Sequence, residues 1–194
     1  MSTAVSAPAE SRYPPGDLAI WIFILAELSV FAIFFAAYAF TRMNHVALFN
    51  DYQLTLDRGA ALINTLALIT SSYFVVRAVA AIRGGEGRRC AGWLGLAILM
   101  GMIFLGVKGH EYAHHFGQGI TLSTNTFYMF YLSLTFFHFM HVILGLVILT
   151  AVALKARQGG YDAEEHIGVE TGASYWHMVD LVWLILFPLV YVMR

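Results

Sequence analysis

The chain has 194 residues, is 59% hydrophobic and only 12% charged, and has a mean hydropathy of +0.70. Soluble domains average about 45–50% apolar and roughly 25% charged residues, so the composition excludes an ordinary soluble domain and describes an integral membrane protein. A formal net charge of −1 leaves no basic footprint for nucleic acid, and the single cysteine, Cys90, excludes an internal disulfide or a CxxC metal site.

The opening stretch MSTAVSAPAESRYPPG has no basic region followed by an apolar core and a cleavage site. It reads as a flexible cytoplasmic tail over residues 1–16. Residues 17–194 read as one membrane domain. Asp17, after Pro14-Pro15-Gly16, is placed to cap the first span, Leu18 to Phe40, which carries one charge, Glu27. The second span runs from Ala60 to Val76 and on to about Ile82, with Arg77 snorkelling toward the headgroups. The third, Ala91 to Val107, is taken to end at Lys108. The fourth, Phe127 to Leu154, has 28 residues and no formal charge, but contains His138 and His141. The fifth is Ser174 to Met193. Each is near the ~20 apolar residues needed to cross the hydrocarbon. The fold expected is an all-α integral membrane bundle of five transmembrane helices.

Lys and Arg in the connecting segments set orientation. Seven (Arg12, Arg77, Arg83, Arg88, Arg89, Lys155 and Arg157) fall toward the side of the N-terminus, against four (Arg42, Arg58, Lys108 and Arg194) on the other. The N-terminus is therefore expected in the cytoplasm and the C-terminus in the periplasm. Trp21, Trp93 and Trp176 lie near span ends, as interfacial anchors do. Ala97-x-x-x-Gly101 is a small-xxx-small pattern that permits close helix approach.

Ionisable groups within the spans need partners and are the candidate sites. Glu27 lies nine residues into its span, roughly 14 Å deep at 1.5 Å per residue, near the midplane. His141 is 14 residues into a 28-residue span, at matching depth, and His138 lies three positions earlier. A contact between Glu27 and one of these histidines, His141 before His138, is expected, either as a structural hydrogen bond or as a proton-linked pair. In KGHEYAHH, Lys108 to His115, Glu111 and His114 form Glu-x-x-His. Di-iron bundles use that spacing twice, with two further glutamates; one copy reads as an interfacial polar cluster. His138 and His141 share a face, which does not suit two ligands of one haem. No metal ligands are assigned. His177 and Asp180, three residues apart at the start of the fifth span, are spaced for a hydrogen bond on their own helix.

Five stretches, in order, resemble one family, subunit III of cytochrome c oxidase. They are WIFILAELSVFAIFFAAY (Trp21 to Tyr38), LINTLALITSS (Leu62 to Ser72), FLGVKGHEY (Phe104 to Tyr112), FFHFMHVILG (Phe136 to Gly145) and VETGASYWHMVDLVWL (Val169 to Leu184). The resemblance covers Asp17 to Arg194. Larger members have seven spans, and this chain matches their last five, helices three to seven; the two-helix arm that forms a lipid-holding cleft has no counterpart here. Five-helix members include the third subunit of quinol oxidases and the NorE-type protein that accompanies nitric oxide reductase. The short loops and TNTFYMFYLSLTFFHFMHVILG look more like the second branch.

The resemblance implies a non-catalytic accessory subunit in a bacterial inner membrane. Such a subunit packs on the haem-copper catalytic subunit, binds phospholipid, and supports proton uptake and the integrity of the active site. Haem, with copper or non-haem iron, would belong to that partner and not to this chain. Glu27 matches the family's buried glutamate. Glu111, Glu170, His138, His141, His177 and Asp180 match its other polar positions, and His177 and Asp180 are expected to fix the cytoplasmic corner of the fifth helix. The alternatives left open are an independent small proton channel or transporter, and a membrane metalloprotein.

Overall fold

The computed structural model describes residues 16–193, so all but the last residue of the expected tail over 1–16 lies outside the described residues. Six α-helices follow in order: α1 Leu18–Asn44, α2 Val46–Gln53, α3 Arg58–Arg83, α4 Gly87–Gly117, α5 Thr126–Arg157 and α6 Ile167–Phe187. A π-helical turn, Pro188–Val192, extends α6. Among the described residues five helices are long and apolar enough to cross a membrane: α1, α3, α4, α5, and α6 with its π-turn.

Acidic or amide residues cap three of the span starts. Asp17 Oδ1 accepts from Ala19 N (3.2 Å), Asp57 Oδ1 from Ala60 N (3.0 Å), and Asn125 Oδ1 from Tyr128 N (2.9 Å). Each satisfies one amide that the first helical turn leaves unpaired. Between α5 and α6, the exposed Asp162 carboxylate accepts the amides of Glu165 (2.7 Å) and Glu164 (2.8 Å), which hold its carboxyl below the usual range.

The helices run past the expected span ends. The largest difference is in α4, which continues nine residues beyond Lys108 to Gly117. Nothing after Lys108 breaks a helix, and Lys108, Glu111, Tyr112 and His115 all lie on the face turned into the bundle. The short helix α2 was not foreseen. Its Phe49 is fully buried, and its Gln53 Nε2 donates to the carbonyl of Val190 (2.8 Å) and, more weakly, to that of Leu189 (3.4 Å). Pro188 lacks an amide and opens the backbone into the π-turn. Gln53 serves carbonyls that this turn presents.

α3 packs on α4, α4 on α5, α5 on α6, and α6 back on α3. α1 rides on the outside of α6 and presents Leu18, Ile22, Leu25, Ile33 and Phe40 outward. At the centre, Trp176 is fully buried, correcting its expected interfacial place. It fills a notch left by two glycines: a Cβ on Gly145 would lie 2.8 Å from Trp176 Cε3, and one on Gly101 2.9 Å from its Cη2. One glycine from α4 and one from α5 thus admit an indole.

Candidate functional site

Three polar constellations are built into the bundle. The first joins α1 to α5. His141 Nε2 lies 3.1 Å from Glu27 Oε2, and His141 Nδ1 lies 2.8 Å from the carbonyl oxygen of Phe137, one turn back on α5. Phe31 stands edge-on to the imidazole at 5.3 Å between ring centroids, and the Tyr175 hydroxyl donates to the His141 carbonyl at 3.3 Å. Glu27 meets His141, the histidine expected before His138, but its side chain keeps 21% of its surface because α1 lies on the outside of the bundle.

The chemistry of this pair follows from its donors. A carbonyl oxygen only accepts, so Nδ1 carries a proton. The bond between Nε2 and Glu27 then has two forms, imidazolium donating to carboxylate, or a carboxyl group donating to neutral imidazole.

His138 does not join it. Three helical positions turn a side chain by about 60° relative to its neighbour, enough to send His138 toward α4 and α6 while His141 faces α1. His138 is fully buried between Phe104 (5.6 Å) and Trp183 (5.3 Å), and both ring nitrogens lack partners among the described residues.

The second constellation surrounds Lys108. Its ammonium donates to Glu111 Oε2 (3.0 Å), to the Tyr131 hydroxyl (3.1 Å) and to the Tyr191 hydroxyl, which uses all three N–H groups. Glu111 Oε1 accepts from Tyr131 and from Tyr191, the latter at 3.0 Å. The ammonium also lies 4.8–5.9 Å from the ring centroids of Tyr131, Tyr112, Tyr191 and Trp183. Lys108 is fully buried and Glu111 is 7% exposed. Removing two such charges from water costs several kcal/mol per ion, offset only when every donor and acceptor is used; here they are.

This corrects the reading of Lys108 as the end of its span: the side chain is buried in the bundle, and α4 runs on to Gly117. The residues that complete the cluster come from α5 and from the π-turn. The residue spacing within α4 carried half the signal: Lys108 and Glu111 are i and i+3. Glu111 also borders a cleft of about 510 Å³ lined with Thr55, Asp57, His110, His114 and His115, so the network meets the surface at one carboxylate. His114 bonds Gln118 Nε2 at 2.9 Å on the outside of α4.

The third constellation fixes one end of α6. Glu170 Oε1 receives Arg83 Nη2 (2.7 Å) and Nε (3.2 Å), and Glu170 Oε2 receives the Gly16 amide (3.2 Å). His166 Nε2 stands 3.4 Å from the same carboxylate. One glutamate therefore ties together the entry to α1, the end of α3 and the start of α6. Deeper in α6, His177 Nδ1 bonds the Ser72 hydroxyl of α3 at 2.9 Å, and Asp180 lies beside the same hydroxyl. The expected bond between His177 and Asp180 is replaced by this contact across helices. Asp180 is 9% exposed and its Oδ1 has no partner among the described residues.

Among the described residues no group of three His, Cys, Asp or Glu side chains converges to hold a metal ion. The Glu-x-x-His of α4 sends Glu111 inward to Lys108 and His114 outward to Gln118.

A family model described as cytochrome c oxidase subunit III matches residues 16–194. Cytochrome c oxidase subunit 3 of Synechocystis sp. is 34% identical, over 99% of this chain and 87% of that protein. Quinol oxidase subunit 3 of Bacillus subtilis is 29% identical, over 97% of this chain and 93% of that protein. The probable cytochrome c oxidase subunit 3 of Rickettsia bellii is 34% identical, but the match takes in 88% of this chain and 66% of that longer protein.

Proposed function

The chain belongs to the cytochrome c oxidase subunit III family, and from that premise we propose that it is a non-catalytic accessory subunit of a haem-copper respiratory complex in a bacterial inner membrane. The observation that carries this reading is the match of a subunit III family model to residues 16–194, on a chain whose five long helices are apolar on their outer faces. Such a chain has surface for lipid and for a larger membrane partner, and its internal polar groups largely serve each other. His141 is held by Glu27 and Phe137, and His177 by Ser72. That engagement supports placing haem, and copper or non-haem iron, in the catalytic subunit. The relatives named above are cytochrome c and quinol oxidase subunits, which favours a terminal oxidase over the NorE-type branch.

The N-terminus is assigned to the cytoplasm. Lys108 is buried in α4 and drops out of the count of exposed basic residues, which leaves Arg42, Arg58 and Arg194 on the far side and strengthens the asymmetry. Within this role Glu27 and His141 hold a proton near mid-membrane, in support of proton uptake by the partner. The Lys108, Glu170 and His177–Ser72 contacts hold helices together.

Stripping the chain from the purified complex tests the assignment. An accessory subunit leaves initial turnover in place while activity decays faster during catalysis. Complete and immediate loss of every redox step would make it part of the catalytic machinery.

A further inference from the structure

We propose that the α3–α4 hairpin carries a binding site for the phosphate of an anionic phospholipid, centred on Arg77. The guanidinium lies 5.1 Å over the Trp93 ring, and Phe74 stacks on the same indole at 5.8 Å and 27°. Arg77 Nη1 donates to the Tyr73 hydroxyl at 3.3 Å. The guanidinium is thereby held in one place with most of its five N–H donors unused by protein. None of the ion pairs among the described residues includes Arg77, whereas the neighbouring cation Arg89 is already matched by Glu86 at 2.7 Å. Arg77, Arg89, Trp93, Ala81 and Gly84 line a cleft of about 190 Å³ at the hairpin end, with Glu86 at its rim. The cleft therefore presents one fixed, uncompensated cation.

Depth identifies the ligand. Arg77 precedes the end of α3 at Arg83 by six residues, roughly 9 Å along the axis, and Trp93 follows the start of α4 at Gly87 by the same number. A level that close to the helix ends suits the boundary between headgroups and hydrocarbon, where Trp and Arg anchor membrane helices. Basic pockets between membrane helices favour anionic headgroups there. Further into the span, Tyr73, Ile69 and Leu66 on α3 and Leu96 and Leu99 on α4 are exposed and offer apolar surface to acyl chains. A phosphodiester with its chains against that surface makes charge-assisted hydrogen bonds to the free edge of Arg77. The site requires only a membrane-embedded chain and stands apart from the assignment as an accessory subunit.

The test is native mass spectrometry of the full chain released from phosphatidylcholine nanodiscs titrated with phosphatidylglycerol. The wild type is expected to retain one phosphatidylglycerol in preference to phosphatidylcholine. Arg77→Gln weakens retention roughly tenfold, the loss of one charged hydrogen-bonding partner. Arg89→Gln weakens it as well, because the freed Glu86 carboxylate then faces the site. Arg157→Gln, at the same end of the bundle but outside the cleft, changes nothing. Unchanged retention in both Arg77→Gln and Arg89→Gln overturns the site. Displacement of the lipid by inorganic phosphate overturns the lipid as ligand and leaves a free-anion site.

Discussion

His141 bridges Glu27 and the Phe137 carbonyl, at 3.1 Å and 2.8 Å, and so ties α1 to α5. Replacing Glu27 by Gln keeps a hydrogen-bonding group of the same shape and removes the carboxylate. Replacing it by Ala strands Nε2, at a cost of roughly 1–3 kcal/mol. Thermal unfolding in detergent should therefore rank wild type and Glu27→Gln close together, with Glu27→Ala below them. Infrared spectra of wild type and Glu27→Gln should differ in carboxyl or imidazolium bands. Equal stability of all three proteins would remove the pairing as a contributor.

The Lys108–Glu111 pair is buried with two tyrosines, so the single changes are expected to be worse than the double. Lys108→Met leaves a carboxylate facing two phenols, and Glu111→Leu leaves an ammonium among aromatic rings; each should cost roughly 3–5 kcal/mol. The double variant removes both charges and should recover most of the loss. A double-mutant cycle on unfolding midpoints reads this directly, and additive losses would contradict it.

Trp176 occupies the notch made by Gly101 and Gly145. A methyl group at Gly145 meets Cε3 at 2.8 Å and Cζ3 at 2.9 Å, both atoms of a rigid ring carried on α6 and flanked by α4 and α5. Gly145→Ala should destabilise by about 1–3 kcal/mol through overpacking. Gly95→Ala, where a Cβ meets nothing within 4 Å, should be neutral or slightly stabilising. Equal behaviour of the two variants would show that the notch is not needed.

Glu170 joins three elements, but Arg83 is 58% exposed, so the ion pair contributes at most about 1 kcal/mol. Glu170→Gln should barely move the unfolding temperature. It should instead loosen the entry to α1, where the Gly16 amide bonds Glu170, and speed proteolysis before Leu18. A large fall in unfolding temperature with no change in proteolysis would reverse that ranking.

Reporter fusions test orientation. A reporter in the Arg83–Arg89 segment should score as cytoplasmic and one in the 118–125 loop as periplasmic. The opposite pattern would invert the bundle.

The five spans and the Asp17 cap were readable because hydrocarbon imposes a minimum length of apolar residues and because helix starts use a local chemistry. Glu27 and His141 could be matched by depth alone, since 1.5 Å per residue fixes height in the membrane. Azimuth was less legible. It separated His138 from His141, turned His177 to Ser72 rather than Asp180, and carried Trp176 into the core. The Lys108 cluster was the largest miss. A charge at the end of an apolar run reads as a boundary, and its completing partners, Tyr131 and Tyr191, lie 23 and 83 residues away in sequence. The helix α2 was hidden for a related reason: its role, holding the carbonyls of a π-turn, exists only once α6 is folded.

The central claim, that the chain is an accessory subunit without a redox centre of its own, is tested most directly by affinity purification of the tagged chain from its membranes in mild detergent, with partners identified by mass spectrometry and pigments by optical spectroscopy. Co-purification with a haem-containing catalytic subunit is expected, with a haem Soret band that follows that partner through further fractionation and a colourless chain once the two are separated. A chain recovered alone in full yield, or one that keeps a stoichiometric Soret band after separation, would contradict it.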